Sequence, residues 1–148
     1  MSGEKVFLDT NIIIYAYDIS AGIKHDIAGK IMVGLWDSGS GVISTQVLQE
    51  FFVSVTKKIP GAIDAKLAKE IVNDLLKWDV VINDGETILG AIDIHLQYKY
   101  SFWDSMIIDA AIKGGADVLF SEDLSDGQII EEIMIKNPFV EPFLSHTQ

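Results

Sequence analysis

Residues 5–18, KVFLDTNIIIYAYD, decide the fold. Lys5–Asp9 reads as a buried strand, apolar at Val6, Phe7 and Leu8, the unbroken run expected of a sheet covered on both faces. The strand stops at Asp9-Thr10-Asn11, with Asn11 the expected helix cap, and Ile12–Tyr17 follows as a helix. A strand that hands over directly to a helix begins a β-α-β unit, and the pattern recurs along the chain.

His25–Ser38 reads as a second helix with apolar positions at Ile27, Ile31, Leu35 and Trp36. The loop Ser38-Gly39-Ser40-Gly41 leads into a short strand, Gly41–Ser44. Thr45–Lys58 is amphipathic, with Val47, Leu48, Phe51, Phe52 and Val55 on one face, and Pro60-Gly61 separates it from a helix over about Ile63–Leu76. Asp79–Ile82 is a third strand, and Asp84 caps a helix that runs to about Tyr98. Phe102–Lys113 is the next helix, closed by Gly114-Gly115, and Asp117–Ser121 a buried strand. Ile129–Met134 is expected to be helical and Val140–Phe143 a last edge strand. Trp36, Trp78 and Trp103 fall at core spacings. The alternation implies one domain over residues 1–148, with its core at about 5–143, folded as a three-layer α/β/α sandwich around a mainly parallel sheet.

Four carboxylates sit where a strand meets a helix or one turn inside a helix: Asp9, Glu50, Asp104 and Asp123. A parallel sheet gathers the ends of its strands along one edge, where acids distant in sequence converge. Converged acids repel one another unless a hard cation lies between them, which points to Mg²⁺ or Mn²⁺. Each also has a plainer reading. Asp9 could serve as a helix cap, but Asp9-Thr10-Asn11 carries more polar groups than a cap needs. Glu50 lies about 130° round the helical wheel from its apolar face, where a solvated glutamate would look the same. Asp104 follows Ser101 in a Ser-x-x-Asp capping pattern. Asp123 has Glu122 beside it and Asp126 three residues on, so the last ligand is Asp123 first, Asp126 second and Glu122 third. Asp109 is expected to be a surface or supporting residue.

The chain carries 11 lysines, no arginine and 22 acids, for a net charge of -11, which weighs against nucleic-acid binding through a basic footprint. Cations bound at the acid cluster would offset part of that deficit, and any phosphate grip must use lysine, backbone amides or metal. With no cysteine, disulfides and thiolate metal sites are excluded, in keeping with a cytoplasmic protein. MSGEKVFLDT lacks the cationic-then-apolar pattern of a signal peptide, and no apolar run is long enough to span a membrane. His25, His95 and His146 lack ligand spacing, and nucleophile-elbow, Walker and dinucleotide patterns are missing. An Asp-x-Asp phosphatase fails because position 11 is Asn.

LDTNIIIYAYD, QEFF and SFWDSMIIDAAIKGGADVLFSEDLSDG, in that order, resemble a PIN-domain ribonuclease, and most closely a VapC-type toxin of a type II toxin–antitoxin system. The resemblance covers roughly residues 5–143. It implies a metal-dependent endoribonuclease in which Asp9, Glu50, Asp104 and Asp123 hold Mg²⁺ or Mn²⁺, with Asp126 a further ligand and Thr10, Asn11 and Ser121 in support. It also implies an RNA substrate, a cognate antitoxin partner and a homodimer. Related domains offer arginines near the pocket; here Lys24, Lys30, Lys57 or Lys58 must take that part, or a partner. Two other readings stand beside it: a catalytically silent PIN-like binding module, and a phosphoacceptor receiver domain.

Overall fold

The computed structural model describes residues 4–140. Six strands, β1 (Val6–Leu8), β2 (Gly41–Ser44), β3 (Asp79–Val81), β4 (Val118–Phe120), β5 (Ile129–Ile130) and β6 (Ile133–Lys136), form one sheet in the order β3-β2-β1-β4-β6-β5. All pairings are parallel except β5 with β6. The helices are α1 (Thr10–Tyr17), α2 (Ile23–Ser38), α3 (Thr45–Val53), α4 (Ala65–Leu75), α5 (Gly85–Tyr98) and α6 (Phe102–Lys113).

The central strands are buried along their length, as their unbroken apolar runs require. Phe7, Leu8, Ile43 and Leu119 are fully enclosed, together with Ile12 and Ile13 of α1, Phe51 of α3 and Ile108 of α6. The chain runs β1, β2, β3 in one direction across the sheet and then returns to place β4 on the other side of β1. Right-handed crossovers on an order that reverses put helices on both faces. α1 packs against α2 and α3, and α3 against α4, while α5 and α6 pack together with α6 across β2 and β3. The three-layer sandwich is the expected one. Its reversal point lies between β1 and β4, where open parallel sheets leave a crevice.

Caps fix several boundaries. Asp84 and Thr87 form a reciprocal capping box at α5, and Ser44 caps α3 through the Val47 N–H. Gly90 lets α5 approach α6, because a Cβ there would lie 2.4 Å from Asp109 Oδ1. Asp109 is therefore buried between the helices and ion-paired to Lys113 at 2.9 Å; of the expected surface or supporting place, the surface one does not hold. Burial raises its pKa, and Lys113 opposes the shift.

Four further expectations are corrected. Asp9, not Asn11, is the residue before α1 whose side chain accepts from the Thr10 N–H. The long helix from Thr45 ends as α-helix at Val53 and continues as a π-helical turn, Ser54–Lys58, in which Thr56 Oγ1 donates to Phe52 O. Ile129–Met134 is not helical: Ile130 pairs with Ile133 across a two-residue turn in which Glu131 and Glu132 both have positive φ. Trp103 and Trp36 are exposed and not core, whereas Trp78 packs against the core. Of the expected edge strand Val140–Phe143, Val140 lies in a bend and residues 141–143 lie outside the described residues.

Candidate active site

Each of the four expected acids is delivered to the same place by a different element. Asp9 follows β1, Glu50 projects from the middle of α3, Asp104 lies in the first turn of α6, and Asp123 lies in the loop after β4. All four line one cleft of about 510 Å³ at the C-terminal edge of the parallel strands. Thr10, Asn11, Gln46, Trp103 and Lys58 share its walls, with Ile14, Val53 and Ile107 as apolar lining. Glu50, indistinguishable from a surface glutamate in the sequence, stays exposed in the structure and lines the cleft because α3 packs on α1, where the Thr10 hydroxyl meets it.

The acids are held by neutral donors. The Thr10 N–H donates to Asp9 Oδ1 at 2.8 Å, and Ser121 Oγ to Asp9 Oδ2 at 2.8 Å. Ser121 Oγ also accepts from the N–H groups of Asp123 and Leu124, so one buried hydroxyl ties the end of β1 to the loop after β4. The Asp9 N–H donates to Phe120 O at 3.0 Å, continuing the pairing of β1 with β4 up to Asp9. Thr10 Oγ1 donates to Glu50 Oε1 at 2.6 Å and Gln46 Nε2 to Glu50 Oε2 at 3.1 Å. Asn11 Nδ2 donates to Asp123 Oδ2 at 3.0 Å. Gln46 was missed in the sequence, although its place one turn before Glu50 on α3 is a usable signal.

These donors favour the ionised carboxylates, but burial and mutual repulsion outweigh them at Asp9 and Asp104. Burial pushes the Asp9 carboxyl up to about 6, against the hydrogen bonds from Ser121 and Thr10, and the charges of Asp123 and Glu50 add to the rise. Asp104 is raised for the same first reason, burial, with Asp123 and Glu50 again repelling it.

The other candidates fall elsewhere. Asp126 does not line the cleft; its Oδ1 accepts from the Asn137 N–H at 2.8 Å. Glu122 turns away to the Tyr15 hydroxyl and to Lys24, whose Nζ lies 2.7 Å from Glu122 Oε2. Lys24 is thus engaged on that loop, Lys30 lies on α2 away from the cleft, and Lys58 is the single cation among the lining residues. His25 and His95 meet the carbonyl oxygens of Tyr15 and Tyr100.

The donor set suits a hard divalent ion: four carboxylates and no sulfur or imidazole. As they stand, no three His, Cys, Asp or Glu side chains among the described residues are gathered closely enough to hold a metal. Asp123 is turned to Asn11 and Glu50 to Thr10 and Gln46.

No curated protein sequence matches the chain. Among solved structures, VapC20 of Mycobacterium tuberculosis, described as a toxin that cleaves the sarcin–ricin loop, superposes with a TM-score of 0.61 at 18% identity, over 84% of this chain and 92% of its own. A toxin–antitoxin complex from Klebsiella pneumoniae gives a TM-score of 0.66 at 16% identity, over 88% of this chain and 96% of that one. DNA-bound VapBC from Salmonella typhimurium gives 0.61 at 20% identity, over 90% of this chain and 97% of that one. At these identities the likeness is one of fold. The PIN domain family model matches residues 6–125, from the first residue of β1 to the loop that carries Asp123, so the chain belongs to the PIN domain family.

Proposed function

We propose that the protein is a ribonuclease that uses Mg²⁺ or Mn²⁺ and acts as the toxin of a toxin–antitoxin pair, in the cytoplasm. The observation that carries the reading is the meeting of Asp9, Glu50, Asp104 and Asp123, drawn from four elements, in one cleft whose walls hold a single lysine. Four acids facing one cleft, with Asp9 raised by burial and by the charges of Asp123 and Glu50, make a site that gains from a cation. Membership of the PIN domain family supports it, as does the likeness of fold to a VapC toxin and to VapBC.

A divalent ion bound there supplies Lewis acidity to a phosphodiester and a lowered pKa to an attacking water. Asp9, Glu50, Asp104 and Asp123 are the residues that would hold it. Thr10, Gln46, Asn11 and Ser121 fix three of those carboxylates. Lys58, on the π-helical turn, is the cation available to a phosphate oxygen. A cognate antitoxin and a second copy of the chain are the partners in this reading.

Expression of wild type and Asp104→Asn, with growth followed and cleaved RNAs mapped, tests it. Growth arrest and RNA cleavage by wild type alone, abolished by EDTA and restored by Mn²⁺, is expected. Cleavage should fall by more than about 100-fold in Asp104→Asn, beyond the loss caused by removing even outer partners of a metal site. Full activity in that variant would sink the assignment.

A further inference from the structure

We propose that Trp103 is a stacking platform for an unpaired nucleobase of single-stranded RNA, next to the phosphate held over the acids; the proposal rests on the ribonuclease reading above.

Trp103 is 63% exposed, in the first turn of α6, where Ser105, Met106, Ile107 and Ile108 are buried. The other two tryptophans, Trp36 and Trp78, pack edge-on to each other at 5.4 Å, beside Gly41 at the opposite edge of the sheet. A tryptophan side chain buries roughly 150–250 Å² when sequestered, so an open indole forfeits much of what that residue offers to folding. Here the indole immediately precedes Asp104 and lines the cleft of the acids.

Its position is fixed from two sides. Phe102 meets it edge-on at 5.1 Å. Gln46, itself buried, donates through Nε2 to Glu50 Oε2 at 3.1 Å and to Trp103 O at 3.5 Å. One amide thus couples the backbone beneath the indole to a cleft carboxylate.

The charge balance favours such a platform. Phosphate contacts through Lys and Arg usually dominate nucleic-acid affinity. This chain has no arginine and places one lysine, Lys58, in the cleft. Stacking on an aromatic face adds affinity that does not come from a charged contact, and it tolerates any base. The cleft has the composition of a nucleotide site: acids for a metal-bridged phosphate, and Ile14, Val53 and Ile107 with Trp103 for a base. Its volume of about 510 Å³ accommodates a ligand of that size. Bases in a duplex are stacked on one another, so the indole selects single strands, loops and ends.

Two measurements test this. Tryptophan emission is titrated with a short single-stranded 2′-O-methyl RNA, and with the same strand annealed to its complement, in wild type and Trp103→Phe. Separately, KM and kcat for RNA cleavage are compared in wild type, Trp103→Phe, Trp103→Leu and Trp103→Ala. Expected are quenching by the single strand, weak response to the duplex and loss of the signal in Trp103→Phe. KM should rise about 5- to 150-fold in Trp103→Leu and Trp103→Ala, the range for one stacked base, with kcat kept and Trp103→Phe close to wild type. Because Leu keeps the apolar bulk without the aromatic face, a structural role would leave that variant unchanged. If Trp103→Leu cleaves with wild-type KM, the platform is overturned and the nuclease reading stands. If wild type neither binds nor cleaves RNA, both fall. Emission indifferent to RNA but shifted by a bound protein partner also overturns it.

Discussion

The two ends of one parallel sheet treat charge in opposite ways. At the N-terminal edge, Lys5 Nζ lies 3.2 Å from Asp79 Oδ2, and the Lys5 N–H donates to Asp117 Oδ2 at 2.9 Å. Beside them the bare Cα of Gly41 admits the Trp78 ring, and Trp36 closes over it. At the C-terminal edge, four acids face a cleft in which Lys58 is the single lining cation, and Asp9 is raised to about 6. The same backbone supports both arrangements. The first end is arranged for stability, and the second carries an electrostatic cost that a bound cation would relieve.

Substitutions at the two ends should therefore separate activity from stability. Among substitutions that leave the four acids in place, the largest effect is expected for Thr10→Val, which removes the 2.6 Å hydrogen bond to Glu50 and keeps the side-chain volume. Single-turnover cleavage should drop about 10- to 100-fold, the usual loss for an outer partner of a metal site, with little change in melting temperature. At the opposite end, Gly41→Ala would put a Cβ 2.5 Å from the Trp78 ring. Urea unfolding should show about 1–3 kcal/mol of destabilisation, with unchanged activity per folded molecule.

Asp9→Asn should abolish cleavage and yet raise stability at neutral pH. The folded carboxyl keeps its proton up to about 6, whereas the ordinary value is 3.8, so the folded state loses stability as pH rises through that window. The full shift corresponds to about 3 kcal/mol; Asn keeps a cap but exchanges hydrogen bonds, so a gain of about 1 kcal/mol is expected. In EDTA, the gap between variant and wild type should be widest above pH 6 and close as pH falls toward 4. Lys5→Met is the smallest perturbation. Its pair with Asp79 is half-exposed on both sides, and calorimetry should find a loss below about 1 kcal/mol that shrinks further in high salt.

How much was legible in the sequence follows the same division. Gly41–Ser44 and Phe102–Lys113 were placed to the residue, and Asp84 was identified as a cap, because a short apolar run, a closing glycine pair and a capping side chain are local signals. The β5–β6 hairpin was not legible. Its turn residues, Glu131 and Glu132, have φ of 47° and 75°, a conformation that normally calls for Asn or Gly, while two glutamates between isoleucines suggest a helix. Asp9, Asp104 and Asp123 were visible as strand-end and helix-start acids, and the resemblance added Glu50. The local pattern could not, because which flank of α3 borders the cleft is set by its packing on α1. Trp103 misled for a related reason: helical spacing does not say that the face ends at an opening.

The loop that carries Asp123 is fastened along its length. Glu122 is held by Tyr15 and Lys24, the Ser125 N–H by the Tyr100 hydroxyl at 3.2 Å, and Asp126 by the Asn137 N–H. Fixing one residue's backbone costs about 1–2 kcal/mol of conformational entropy. In this loop that cost is met during folding, before any ligand arrives. Asp123 is thereby preorganised, and whatever binds in the cleft need not order the segment that receives it.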